Sequence, residues 1–134
     1  GALLGYKGAP LKQGSGKATT SLVIRQTHLS PAGRVHGGVI SAFFDFACGA
    51  AVFTVLGPQD FCATIELKVN YLYPIELGQK LTAKTGIVFE GRRLAVLHGY
   101  IYRAGFKNPV AMCTSTFNVV RDSVAQRRTK PAKA

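Results

Sequence analysis

Asp45 is the one acidic residue in the otherwise apolar and small-residue run Val35-His36-Gly37-Gly38-Val39-Ile40-Ser41-Ala42-Phe43-Phe44-Asp45-Phe46-Ala47-Cys48-Gly49-Ala50-Ala51. Removing an ionised carboxylate from water costs several kcal/mol even after the surroundings relax. In a chain with only 6 Asp and Glu, a carboxylate so placed needs a use or a partner. Its chemistry would be that of a general base or a nucleophile. The second candidate lies upstream, where Gly37 and Gly38 follow His36 at the entrance to an expected helix. Free backbone N–H groups and the positive end of the helix dipole meet there, which suits a developing oxyanion.

These groups need a scaffold. The periodicity predicts a helix from about Gly38 to Leu56, stopped by Gly57-Pro58. Phe43, Phe46, Ala50 and Phe53 recur on one face and are expected to pack on a sheet, whereas Ser41, Asp45, Cys48, Gly49 and Val52 form a leaner face with room for a ligand. Strands are expected at Lys17–Leu29, around Thr64–Tyr71, at Leu81–Phe89, at Leu94–Arg103 and at Val110–Val120. In the second of these, Ile65, Leu67, Val69 and Tyr71 alternate with Thr64, Glu66, Lys68 and Asn70, the mark of a half-buried strand. Short turns join the last four strands and imply antiparallel neighbours, so the expected class is α+β, an antiparallel sheet against one long helix. Residues 1–16 form a loose lead-in, 17–121 the domain and 122–134 a basic tail.

Composition narrows the partners. The chain of 134 residues suits a single domain, and 47% hydrophobic against 17% charged residues predicts apolar surface hidden between subunits. Three cysteines, Cys48, Cys62 and Cys113, show no paired spacing, so neither a disulfide framework nor a metal site is expected. A net charge of +11 fits an anionic partner, either coenzyme A or nucleic acid. The basic residues are scattered apart from Arg121, Arg127, Arg128, Lys130 and Lys133 near the end, and no nucleic-acid-binding motif accompanies them. Nucleic acid is therefore not the expected partner. The run from Val35 to Leu56 approaches the roughly twenty residues of a membrane span, but Asp45 at its middle argues against insertion. With no secretory signal in residues 1–17, cytoplasm is the expected location.

The pattern H-G-G-V-I-x-x-x-x-D-x-x-x-G-A, continued by Ala63-Thr64-Ile65-Glu66-Leu67-Lys68-Val69-Asn70-Tyr71-Leu72-Tyr73-Pro74, Gly78 and Glu90-Gly91-Arg92-Arg93-Leu94-Ala95, resembles the signature of hotdog-fold acyl-CoA thioesterases of the phenylacetyl-CoA (PaaI-like) type. The resemblance covers roughly residues 20 to 120. It implies a hotdog fold, a sheet wrapped around a central helix, and hydrolysis of a small, medium or aromatic acyl-CoA ester to free acid and coenzyme A. No separate cofactor is implied, coenzyme A being part of the substrate. By this resemblance Asp45 is the carboxylate and Gly37 the polarising amide, while Thr64 orients water or the carboxylate. Arg92 and Arg93 are implied to face the coenzyme A phosphates, while His36 is a further catalytic candidate that orients the loop or hydrogen-bonds near the site, and Gly38 is expected to bind substrate beside it. Members of the family often carry Asn or Gln six residues before His36 to help position the thioester or water, and this chain departs from that pattern with the shorter Ser30.

Geometry adds a constraint. Eight residues separate Gly37 from Asp45, about 12 Å along a helix at about 1.5 Å per residue. If both act on one thioester they must come from different subunits, which requires a homodimer, or a dimer-of-dimers homotetramer, with composite sites. Activity is expected to fall on the acid side as Asp45 takes up a proton. The competing readings are a non-catalytic acyl-CoA-binding module of the same fold, and a hotdog dehydratase or hydratase.

Overall fold

The computed structural model describes residues 5–121, and the expected tail at 122–134 lies outside the described residues. In chain order the elements are β1 (Lys7–Gly8), β2 (Lys17–Val23), a 3₁₀ turn (Gln26–His28), α1 (Gly37–Phe53), β3 (Phe61–Tyr71), β4 (Lys80–Glu90), β5 (Leu94–Arg103) and β6 (Ala111–Val120). All six strands form one antiparallel sheet in the order β1-β2-β4-β5-β6-β3. Strands β2 to β6 all contact α1, so the sheet curls around the helix. This is the hotdog arrangement expected from the sequence.

The helix surface is a nearly continuous cover of apolar and small side chains, as an element enclosed by a sheet must have. Its core face is Ile40, Phe43, Phe44, Ala47, Cys48, Ala51 and Val52, all buried. The expected faces are therefore corrected. Phe46 and Phe53 are 41% and 62% exposed on the outer side, and Cys48 and Val52 belong to the core. The sheet covers a wide arc of the helix, so the buried stripe includes neighbours that a narrow helical period assigns to opposite sides.

Three hydroxyls fix the helix to its surroundings. Tyr71 Oη donates to the Gly37 carbonyl at 3.0 Å, Thr85 Oγ1 from β4 donates to the Ala47 carbonyl at 2.8 Å, and Thr54 Oγ1 accepts the Gly16 N–H at 2.7 Å. Thr54 also donates to the Ala51 carbonyl at 2.8 Å. The helix stops at this C-cap, three residues earlier than Gly57-Pro58 suggested. In the middle of the sheet, Gly99 permits close packing, because a Cβ there would lie 2.9 Å from Cys113 Sγ and 3.0 Å from Thr85 Cγ2.

The strand order departs from the simple reading of short turns. Strands β4, β5 and β6 are sequential neighbours, but β3 pairs with β6 and forms the far edge, so the 72–79 connection passes from one side of the sheet to the other. The first predicted strand ends at Val23 rather than Leu29. Arg25 N–H donates to His28 Nδ1 at 2.8 Å, closing a turn that ends the extended run. The lead-in is also more ordered than its glycines implied. Its residues Lys7 and Gly8 pair with β2, and Gly14 N–H donates to the Thr54 carbonyl at 2.6 Å. Arg121, grouped by sequence with the basic end of the chain, donates to the Val55 carbonyl and pairs with Glu90 at 3.2 Å.

Candidate active site

A β-bulge decides which side chains face Asp45. The register of β3 against β6 shifts between Thr64 and Glu66, and the Glu66 carbonyl there accepts from Ser115 Oγ at 3.2 Å. A bulge inserts one residue into the twofold alternation. Thr64 on one side of it, and Leu67, Val69 and Tyr71 on the other, therefore all turn toward the helix. Ile65 is 57% exposed at the bulge. Strict alternation had put Thr64 opposite Leu67 and Tyr71, and had put Ile65 with the inward set.

Thr64 Oγ1 donates to Asp45 Oδ1 at 2.5 Å. The partner that the isolated carboxylate needed is thus a hydroxyl, which orients the group without neutralising it. Asp45 and Thr64 lie in the wall of an open cavity of about 480 Å³, completed by Leu11, Phe46, Gly49, Ala50, Phe53, Cys62, Ala63 and Phe117. Apart from the acid and the hydroxyl, the lining is apolar. Its three phenylalanine rings surround small residues, which leaves a groove between α1 and β3.

The second candidate group sits elsewhere. His36 is the N-cap of α1, makes no side-chain cap, and leaves Gly37 as the first helical residue. Its backbone N–H donates to the His28 carbonyl at 2.9 Å. The preceding segment is a tight turn in which Ser30 N–H donates to the Arg34 carbonyl at 2.6 Å and Gly33 N–H to the Ser30 carbonyl at 2.9 Å. This turn fixes the entry of the chain into the helix, and Ser30 takes part through its backbone. Gly37 borders a cavity of about 570 Å³ shared with Gly33, Arg34, Tyr71, Tyr73, Pro74 and Glu76. Gly38 is exposed beside it.

One chain therefore brings Asp45 and Thr64 together in one cavity and places Gly37 in the wall of another, which its sequence neighbours His36 and Gly38 do not line. Arg92 and Arg93 are exposed at the β4–β5 turn and line neither. Arg34 is the cation that lines the Gly37 cavity, and sequence reasoning missed it. The signal was its place in the Gly33-Arg34 turn, two residues before His36.

The cysteines do not compete with Asp45 as nucleophiles. Cys48 and Cys113 are buried with their sulfurs 3.8 Å apart. The hydrogen bond to Cys113, and then burial, push the Cys48 thiol far up, while the same bond lowers Cys113, which is itself buried in the core. Burial, followed by the nearby Asp45 charge, also raises the Cys62 thiol. The raised thiols of Cys48 and Cys62 stay protonated and unreactive near neutrality. Among the described residues no cluster of side chains could hold a metal ion, and no helix is long and apolar enough to cross a membrane.

Fold and site together define a hotdog protein with a carboxylate-lined apolar groove. Residues 32–107 match the family model described as thioesterase superfamily. The chain belongs to that superfamily, in its PaaI-like group. It is similar to the phenylacetic acid degradation protein PaaI of Thermus thermophilus, solved as a point mutant, with 28% identity and a TM-score of 0.75 over 87% of this chain and 95% of that one. A phenylacetic acid degradation-related protein of Ralstonia eutropha is 25% identical, with a TM-score of 0.78 over 87% and 86% of the two chains. A candidate esterase of Saccharolobus solfataricus is 35% identical over 91 residues, which is 68% of this chain and 59% of that protein. A second candidate esterase, from Caenorhabditis elegans, is matched over 50% of its length at 28% identity. The chain thus spans about half to three-fifths of the curated relatives it matches.

Proposed function

We propose that this protein hydrolyses acyl-CoA thioesters, using Asp45 from one subunit and the Gly37 N–H from another. The observation that carries the reading is the Thr64-oriented Asp45 carboxylate in the wall of an apolar groove, within the segment that matches the thioesterase superfamily. The acyl group lies in the groove and the thioester carbonyl accepts a hydrogen bond from Gly37 N–H. Asp45 takes a proton from water as it attacks the carbonyl carbon, or attacks that carbon directly to leave a mixed anhydride that water then opens, restoring the carboxylate. The carbon–sulfur bond breaks, the thiolate of coenzyme A accepts a proton, and the free acid leaves. Arg34, together with Arg92 and Arg93 on the β4–β5 turn, supplies positive charge for the phosphates of coenzyme A.

Support for two subunits comes from two facts. Asp45 and Gly37 border different cavities of one chain. β3 is an edge strand of 11 residues on which Phe61, Ile65 and Tyr71 are each more than half exposed. An unprotected apolar edge of that length favours pairing with another strand, and pairing with the same edge of a second copy would bring the groove of one subunit toward the helix start of the other.

A mixing experiment tests the arrangement. Asp45→Asn removes the base. Gly37→Pro removes only the N–H, since proline suits the first helical position and His36 already has the extended backbone that must precede it. Each variant alone is expected to lose thiol release from acyl-CoA. In mixed dimers one of the two sites keeps both groups, so random mixing of equal amounts should restore about one quarter of the parent rate under twofold assembly. Absence of restored activity in verified heterodimers, or full activity in either single variant, would refute the composite site.

A further inference from the structure

Leu11 comes from the lead-in, upstream of the family-matched segment, yet it lies in the wall of the Asp45 groove. The segment that carries it is held at both ends. On one side, Lys7 and Gly8 pair with Ser21 and Thr20, and Ala9 N–H donates to the Thr19 carbonyl at 2.9 Å. On the other, Gln13 Nε2 donates to the Leu56 carbonyl at 3.4 Å, and Gly14 and Gly16 N–H groups reach the Thr54 carbonyl and hydroxyl at 2.6 and 2.7 Å. Tyr6 adds an apolar anchor, its ring stacked on Phe43 at 5.4 Å and tilted against Phe46 at 4.8 Å. Between these attachments runs Ala9-Pro10-Leu11-Lys12-Gln13, crossing the outer side of α1 with a proline to stiffen it.

Groove and helix run in parallel. Asp45, Gly49 and Phe53 mark three positions along the same helical side, so Asp45 and Phe53 are separated by about 12 Å along the axis. Asp45 marks the reacting end. An acyl chain starting there would run past Gly49 and Ala50 toward Phe53, along the wall to which Leu11 contributes. Residues from the superfamily segment form the floor, but the strap forms part of the outer wall.

We propose that Leu11 sets the length of acyl group this protein accepts, closing the groove against Phe46 and Phe53. The inference rests on the acyl-CoA reading above and deepens it. A stop of this kind discriminates by volume, where each added methylene that cannot be seated reduces specificity by a factor of roughly 10 or more.

The test compares the parent with Leu11→Ala and Leu11→Trp across saturated straight-chain acyl-CoA esters of increasing length, reading kcat/KM from thiol release. In parallel, calorimetry measures binding of S-alkyl coenzyme A thioethers of matching lengths, which cannot be hydrolysed. Leu11→Ala should extend the favoured length by two or more carbons, and Leu11→Trp should shorten it, mainly through KM and with the same order in thioether affinity. Length profiles that coincide in all three proteins, by both measurements, would overturn the assignment. Thioether profiles that shift with residue 11 while no ester is hydrolysed would uphold the length stop and reject the hydrolase reading. Failure to bind any thioether would overturn both.

Discussion

At the scale of single residues, the site depends on one hydrogen bond whose donor carries no charge. Thr64 holds Asp45 Oδ1, so Thr64→Val keeps the shape and removes the hydroxyl. On the proposed mechanism a misoriented carboxylate keeps part of its effect, and kcat is expected to fall by about tenfold to a hundredfold, less than the loss of about 10²-fold or more expected for Asp45→Asn. Thiol-release kinetics on both variants check the order, and a Thr64→Val enzyme as inert as Asp45→Asn would give Thr64 a larger role. Tyr6 offers the opposite case. Its hydroxyl is buried and has no hydrogen-bond partner among the described residues, while burial and then the Asp45 charge raise its pKa. An unsatisfied buried hydroxyl is a net cost of roughly 1–3 kcal/mol. Tyr6→Phe keeps both ring contacts and is expected to leave stability equal or raise it by about 1 kcal/mol, as read from the urea midpoint; a clear drop would mean that the hydroxyl has a partner.

At the scale of elements, α1 sacrifices some stability to keep the groove open. Gly49 stands inside the helix, where glycine costs about 1 kcal/mol relative to alanine. Packing does not demand it, since a Cβ there would meet Phe117 at an ordinary 3.8 Å. Yet Gly49 lines the Asp45 cavity. Gly49→Ala should therefore raise thermal stability by roughly 1 kcal/mol while raising KM for bulky acyl groups. Thermal melts and steady-state kinetics on one preparation decide this, and a variant that is more stable with unchanged KM for every acyl group would remove Gly49 from the binding surface. The bulge in β3 belongs to this scale as well. Its register shift is what lets Thr64 share a face with Tyr71, so the strand serves the acid near its start and the helix N-terminus at its end.

For the whole molecule, the buried thiols link packing to pH. The shift is upward for Cys48, through the hydrogen bond to Cys113 and then burial, downward for Cys113 through that same bond, and upward for Cys62 and Tyr6, chiefly through burial. Groups whose folded pKa is raised hold their protons more tightly in the native state, so their contribution is complete below the unfolded value and is lost as pH rises. Three raised groups outweigh the one lowered thiol of Cys113, so the window opens near the ordinary thiol value of 9.0 and stability is expected to decline above it. Cys48→Ala should flatten that decline in denaturant melts between neutral and alkaline pH, once its own cavity cost has been subtracted at neutrality. An unaltered alkaline slope would show that the buried thiol pair is not responsible.

Much of this protein was legible in one dimension. The isolated acid at Asp45, the glycine pair after His36, the apolar helix and the hairpins from β4 to β6 are local signals, set by side-chain chemistry and short-range periodicity. The family resemblance supplied Thr64 and the hotdog wrap. Other features needed the folded chain, because they depend on contacts between residues distant in sequence. The pairing of β3 with β6 is such a contact, and so is the bulge that turns Thr64 toward Asp45. The exposure of Phe46 and Phe53, the strap that delivers Leu11, and the entry of Arg34 into the Gly37 cavity are others. Periodicity tells which residues share a side of an element, but only the curl of the sheet decides which side is covered and which is left open to a substrate.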